Sequence, residues 1–147
     1  MNNSIDQPES LIGSTLKELE SLVFSLNAEK FRALQLFDWL YSKQIDNYDK
    51  MSNLPILLRE KLSNIPIHPL TLINKNTSNS KRTQKYLFSL KNGNLIESVL
   101  MVEGKRITVC LSTQVGCAVD CDFCATAKMG FIQNLSVGEI LDQFLQL

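Results

Sequence analysis

Three cysteines, Cys117, Cys121 and Cys124, stand in one short run of the chain with three and then two residues between them. Thiolates are soft ligands, and three of them on a compact loop select zinc or an iron–sulfur cluster over hard cations. A structural zinc site usually takes four protein ligands built as two close pairs. The remaining cysteine, Cys110, could be a fourth, but it falls in a stretch that reads as a strand, where the pleat governs its direction more than the loop does. A four-iron cubane held by three cysteines leaves one iron open, and an open iron can chelate a small molecule. Spacing alone leaves zinc and iron–sulfur both in play.

The segments around the loop must position it. Residues 84–90, 95–102 and 107–112 read as strands, so 83–112 is expected to form a three-stranded antiparallel meander. Lys91-Asn92-Gly93-Asn94 suits a tight hairpin turn that needs positive φ, and Glu103-Gly104 makes the second turn. Residues 70–73 are a further strand candidate, and the polar run 74–80 reads as an exposed loop. The last strand of the meander delivers the chain to the cysteines. Beyond them Ser136-Val137-Gly138-Glu139 fits a capping box that starts a helix, with Val137, Ile140, Leu141, Phe144 and Leu145 on one face. One strand-loop-helix unit cannot close a barrel or bury that helix by itself. The helical periodicity is still running at Leu147, so the chain is expected to be a fragment or to need a partner over this face.

Upstream the pattern is helical. Leu16, Leu19, Leu22, Val23 and Leu26 recur at helical spacing, with Ser14 available as the N-cap. Phe31, Leu34, Phe37, Leu40 and Tyr41 mark the expected buried face of a second helix, to which Trp39 adds an anchor. A third helix is expected to start at Pro55 and to run through Leu58 and Leu62. Nothing in this module looks catalytic, and its aromatic residues read as core. The expected fold is therefore α/β: a disordered N-terminus over 1–10, a small helical domain over 11–68, then over 69–147 an antiparallel β segment and the first strand-loop-helix unit of a truncated (β/α) partial barrel.

Composition narrows the class. With 147 residues, 44% of them hydrophobic and 20% charged, the chain has the make-up of an ordinary globular domain. No apolar run is long enough to span a bilayer, and the polar, acidic start carries no secretory signal, so a cytoplasmic protein with no membrane association is expected. In that reducing compartment disulfide scaffolding is not expected. The formal net charge is zero. Its distribution is uneven, because Lys75, Lys81, Arg82, Lys85, Lys91, Lys105 and Arg106 face only Glu97 and Glu103 across residues 75–106. Such a basic middle could contact phosphates, although charge alone reads first as the solvated face of a sheet.

The wider run around the cysteines carries a resemblance. Cys-x3-Cys-x2-Cys with an aromatic before the last cysteine, Phe123-Cys124, resembles the signature of radical S-adenosylmethionine enzymes. Val109-Cys110-Leu111-Ser112-Thr113-Gln114-Val115-Gly116-Cys117, then Phe123-Cys124-Ala125-Thr126-Ala127, Gly130-Phe131 and Asn134-Leu135, closely resembles the RlmN/Cfr family. Phe31-Arg32-Ala33 and Trp39-Leu40-Tyr41 are similar to that family's N-terminal domain. The resemblance covers most of the chain but less than half of a complete family member. One difference is Gln133, where the family usually carries Arg.

The resemblance implies an RNA adenine methyltransferase acting on large-subunit ribosomal RNA and, in the RlmN branch, on transfer RNA. Overall similarity favours C2 of adenine over C8. It implies a [4Fe-4S] cluster on Cys117, Cys121 and Cys124, S-adenosylmethionine on the open iron, Phe123 near the adenosine, and an electron donor such as a flavodoxin or ferredoxin. Glu97 matches the proton acceptor. Cys110 matches the cysteine that resolves a protein–RNA crosslink by forming a disulfide with a methyl-carrying cysteine, which is not among these residues, so the 147-residue chain alone is expected to be inactive. A different class stays open, a zinc-stabilised RNA-binding module without enzymatic activity.

Overall fold

The computed structural model describes residues 8–119, 121–124 and 126–147. The chain forms two compact units, one ending at Pro69 and one running from Leu70 to Leu147. Most of the N-terminal segment expected to be disordered lies outside the described residues. Within the described part, the Ser10 hydroxyl donates to the Ile12 carbonyl at 3.3 Å.

The first unit is helical. Helix α1 spans Leu16–Ser25, and its N-cap is Thr15, not Ser14. Thr15 closes a capping box with Glu18, which satisfies amide donors at both ends of the first turn. Helix α2 spans Phe31–Phe37 and widens into a π-helical turn over Asp38–Ser42, where the Lys43 amide reaches back to the Asp38 carbonyl. The face expected for this helix holds at Leu40 and is corrected at Phe31 and Leu34. Ala33, Leu36 and Leu40 are buried, whereas Phe31 and Leu34 are 51% and 57% exposed. The small Ala33 lets α2 approach its neighbours closely, and the guanidinium of Arg32 covers the outward ring of Phe31 at 4.5 Å. Helix α3 spans Ile56–Leu62 behind Pro55, with Leu58 and Leu62 inside. Leu11 and Ile12 are also core residues, held by backbone bonds to Pro66 and Ile67 at 3.0 and 2.9 Å.

The second unit is built on a four-stranded antiparallel sheet in the order β1-β2-β3-β4, with β1 Thr71–Thr77, β2 Thr83–Ser89, β3 Leu95–Glu103 and β4 Arg106–Cys110. The strand candidate at residues 70–73 is present as β1, which joins the meander and runs further than expected. Residues 74–77, expected in a loop, belong to β1. Their polarity follows from position, because β1 is an edge strand exposed along its whole length. Gly93, at φ +84°, turns β2 into β3, and Gly104, at φ +60°, turns β3 into β4.

Alternation gives the sheet two different faces. On one, Tyr86 and Phe88 of β2 stand opposite Ser98 and Ile96 of β3, all buried. Leu70, Leu90, Val115 and Leu135 complete this core, and Leu100, Ile140 and Leu147 pack against it. On the other, Lys85 of β2 stands opposite Val99, which in turn stands opposite Cys110 of β4, with Glu97 two residues along β3.

After β4 the chain makes a small second sheet, β5 Gln114–Gly116 paired antiparallel with β6 Phe131–Asn134, and then helix α4, Val137–Gln146. The Ser136–Glu139 capping box is present. Of the apolar face expected for α4, Ile140 packs against the core. Gly138, Asp142 and Gln143 are buried, while Val137, Leu141 and Phe144 are 69%, 40% and 56% exposed. Two polar side chains can occupy the inside because β3, the segments flanking the sheet and α4 itself supply their partners. The Asp142 carboxylate accepts from the Leu70 amide at 3.0 Å and from Gln146 Nε2 at 2.9 Å. Gln143 is held by Ser98 and by the backbone of Ser112.

Candidate functional site

The cysteine loop lies between the ends of the β5–β6 hairpin. Gly116 ends β5, Gly130 precedes β6, and the Cys117 amide donates to the Gly130 carbonyl at 3.1 Å. Outside this neck the hairpin is tied by the Leu135 amide to the Thr113 carbonyl at 2.9 Å and by Gln114 Nε2 to Asn134 Oδ1 at 2.8 Å. Gln133, at the family's Arg position, accepts from Asn92 Nδ2 at 2.7 Å, which links β6 to the β2–β3 turn. Sequence reading took this region for a plain loop. The signal it missed is the pair of glycines flanking the cysteine run.

Cys117, Cys121 and Cys124 are each partly exposed, and none is in a disulfide. The Val119 amide points at Cys117 Sγ at 3.5 Å, and the Cys124 amide donates to the Cys121 carbonyl at 3.0 Å, turning the chain between the second and third thiols. Phe123 is 92% exposed, so its ring is not a packing element of the unit. The donors suit a soft metal group in kind, and their number suits a cluster with an open iron. Among the described residues, however, no three His, Cys, Asp or Glu side chains are grouped closely enough to hold a metal ion. The fold brings the three thiols onto one loop but not onto one point.

Cys110 and Glu97 share the sheet face away from α4. Cys110 is the last residue of β4 and is exposed. Glu97 Oε1 pairs with Lys85 Nζ at 2.8 Å, and both side chains are about half exposed. The Ser112 hydroxyl donates to the Glu97 carbonyl at 2.8 Å, so the segment leaving β4 is fastened to the strand that carries Glu97. Two residues important to this arrangement were not singled out by sequence: Lys85, the partner of Glu97, and Gln143, which holds Ser98 and Ser112 together from the other face.

The fold matches that of part of a solved radical S-adenosylmethionine methyltransferase. It superposes on the crystal structure of a radical SAM methyltransferase from Sphaerobacter thermophilus with a TM-score of 0.88 at 41% identity, over 95% of this chain and 41% of that one. Residues 10–67 match the family model described as the ribosomal RNA large subunit methyltransferase N-terminal domain. Similar proteins include the probable dual-specificity RNA methyltransferases RlmN of Thermotoga sp. (strain RQ2), 44% identical over 95% of this chain, and of Symbiobacterium thermophilum, 42% identical over 95%. The chain is similar to RlmN proteins over 95% of its own length. It spans about two-fifths of the length of these curated relatives, 41% and 38% respectively. Among the described residues no helix is long and apolar enough to cross a membrane.

Proposed function

We propose that this chain supplies the cluster loop and two of the working side chains of a cytoplasmic radical S-adenosylmethionine enzyme that methylates C2 of adenine in large-subunit ribosomal RNA and in transfer RNA. The observation that carries the reading is the order along the second unit. A strand ending in an exposed Cys110 leads within a few residues to a glycine-closed loop bearing Cys117, Cys121 and Cys124. The similarity to relatives named as dual-specificity RNA methyltransferases supports two kinds of RNA substrate, and the family model over residues 10–67 supports the ribosomal one.

In this reading Cys117, Cys121 and Cys124 would hold a [4Fe-4S] cluster, and Phe123 would contribute to binding S-adenosylmethionine. When bound, the cluster supplies the electron, drawn from a flavodoxin or ferredoxin, that cleaves S-adenosylmethionine. The chain's own residues handle the substrate. Glu97, paired with Lys85, takes up a proton from the adenine. Cys110 forms the disulfide that frees the RNA from the protein, with a methyl-carrying cysteine that is none of the four in these residues. The 147 residues alone therefore complete no turnover.

The test is methylation by a chain extended to the length of the relatives, read by mass spectrometry of nucleosides from ribosomal and transfer RNA. C2-methyladenosine in both is expected. Methylation at C8 alone, or zinc tightly held with no methylation, contradicts the reading.

A further inference from the structure

At the neck of the cysteine loop the backbone of Gly130 lies against Gly116. A Cβ built on Gly116 would lie 1.8 Å from the Gly130 carbonyl oxygen and 2.9 Å from its carbonyl carbon. Both partners are backbone, so no side chain can swing aside to make room. The same carbonyl accepts the Cys117 amide, so the atom that excludes a Cβ at Gly116 also orients the first cysteine. Gly116 and Gly130 both hold left-handed backbone, at φ +74° and +67°. The register of β5 on β6 shifts between Val115 and Gly116, which places this crossing at a bulge, a device that redirects the chain. Gly130 differs in one respect, because a Cβ there meets nothing within 4 Å.

We propose that Gly116 is a positioning residue for the metal group: its bare Cα lets the two ends of the loop cross at the Gly130 carbonyl, and that crossing fixes how the chain carries Cys117 into the loop. The proposal rests on the cluster reading above. Gly116 touches no ligand itself, and acts through the amide and direction of Cys117.

The 147-residue chain and its Gly116→Ala, Gly130→Ala and Gly104→Ala variants can be reconstituted anaerobically with iron and sulfide. Iron per chain, affinity for the added iron and the charge-transfer spectrum are read, with circular dichroism and thermal unfolding alongside. Gly104→Ala is the control, since it imposes positive-φ strain in open space at the β3–β4 turn, away from the loop. Wild type and Gly104→Ala should load alike. Gly116→Ala should weaken iron binding on the order of ten- to a hundred-fold, the range for losing outer support of a metal ligand, with an altered spectrum and the sheet retained. Gly130→Ala should show a smaller loss. Wild-type loading and spectrum in Gly116→Ala overturn the proposal. If Gly116→Ala does not keep the sheet, Gly130→Ala decides: weaker loading with native unfolding supports the neck, and unchanged loading overturns it. A wild-type chain that takes up no iron overturns the cluster reading, and the proposal with it, and is distinguished from a failure of the neck because all variants then behave alike.

Discussion

Gln143 Oε1 accepts a 2.6 Å hydrogen bond from the Ser98 hydroxyl, joining two almost fully buried polar side chains of α4 and β3. The same oxygen accepts from the Ser112 amide at 2.8 Å, and Nε2 donates to the Ser112 and Glu139 carbonyls at 2.9 and 3.1 Å. Every polar atom of the side-chain amide has a partner, which makes burying it affordable. The clamp also sets where the chain leaves β4, two residues past Cys110.

Gln143→Leu keeps the bulk but strands the Ser98 hydroxyl and both backbone groups of Ser112. It should destabilise the second unit by about 2–4 kcal/mol, from buried donors and acceptors left unpaired. Ser98→Ala, which removes one partner of a well-satisfied amide, should cost about 1 kcal/mol. Hydrogen exchange of the β3 and β4 amides is the suitable probe, because the only tryptophan, Trp39, lies in the other unit. Equal protection in Gln143→Leu and wild type contradicts this account.

Why α4 was legible in part follows from the same contacts. Ser136 and Glu139 announce its start, because a capping box is local chemistry. Its buried face is tertiary information. Periodicity identifies an apolar stripe but not which side the sheet occupies, and here β3 and the segments flanking the sheet offer Ser98, Ser112 and the Leu70 amide to Gln143 and Asp142. Polar residues therefore point inward, and Val137, Leu141 and Phe144 outward.

Glu97→Gln tests whether the exposed pair with Lys85 serves stability or chemistry. A half-exposed ion pair contributes at most about 1 kcal/mol, so unfolding and iron uptake should hardly change. In a chain of the relatives' length, methylation should fall by about a hundred-fold or more, the usual contribution of a general base. An undiminished methylation rate removes Glu97 from the proposed mechanism.

Cys110→Ala should separate the early and late halves of the reaction. The exposed thiol at the end of β4 makes no disulfide in this structure and stands outside the cysteine loop. In the longer chain, the variant should still load iron and cleave S-adenosylmethionine, yet accumulate protein covalently joined to RNA, visible as a shifted band on a denaturing gel. Normal release of methylated RNA would rule out the resolving role.

The helical unit carries a pH dependence of its own. Hydrogen bonds from the Thr15 amide and hydroxyl, both 2.7 Å, hold the Glu18 carboxyl below the usual carboxylate range. A carboxylate with a lowered folded-state pKa contributes stability above its unfolded pKa and loses it as pH falls through the folded value. Unfolding followed by Trp39 fluorescence should therefore weaken as the pH drops below the ordinary glutamate range, and Glu18→Gln should flatten that part of the profile. A profile identical in the two proteins contradicts the capping-box account.

What else escaped the sequence has comparable physical causes. The helix beginning at Phe31 shows two apolar stripes, and the structure buries the one with Ala33 and Leu36 because a small residue permits close packing, leaving Phe31 to the Arg32 guanidinium. An edge strand as polar as β1 lacks the apolar alternation that marks a half-buried strand. The cysteines were legible at once, since their spacing is chemistry written directly in residue types. The neck that holds them depends on two glycines meeting across the loop, a proximity that exists only after folding.

The central claim is that three cysteines, and not four, hold an iron–sulfur cluster on the loop. The most direct measurement is iron and sulfide content after anaerobic reconstitution of the chain and its four single Cys→Ala variants. The account predicts about four irons per chain in wild type and in Cys110→Ala, as a cubane requires, and loss of the cluster in Cys117→Ala, Cys121→Ala and Cys124→Ala. A colourless protein that binds zinc and keeps it after Cys117→Ala, or a cluster lost with Cys110→Ala, would contradict it.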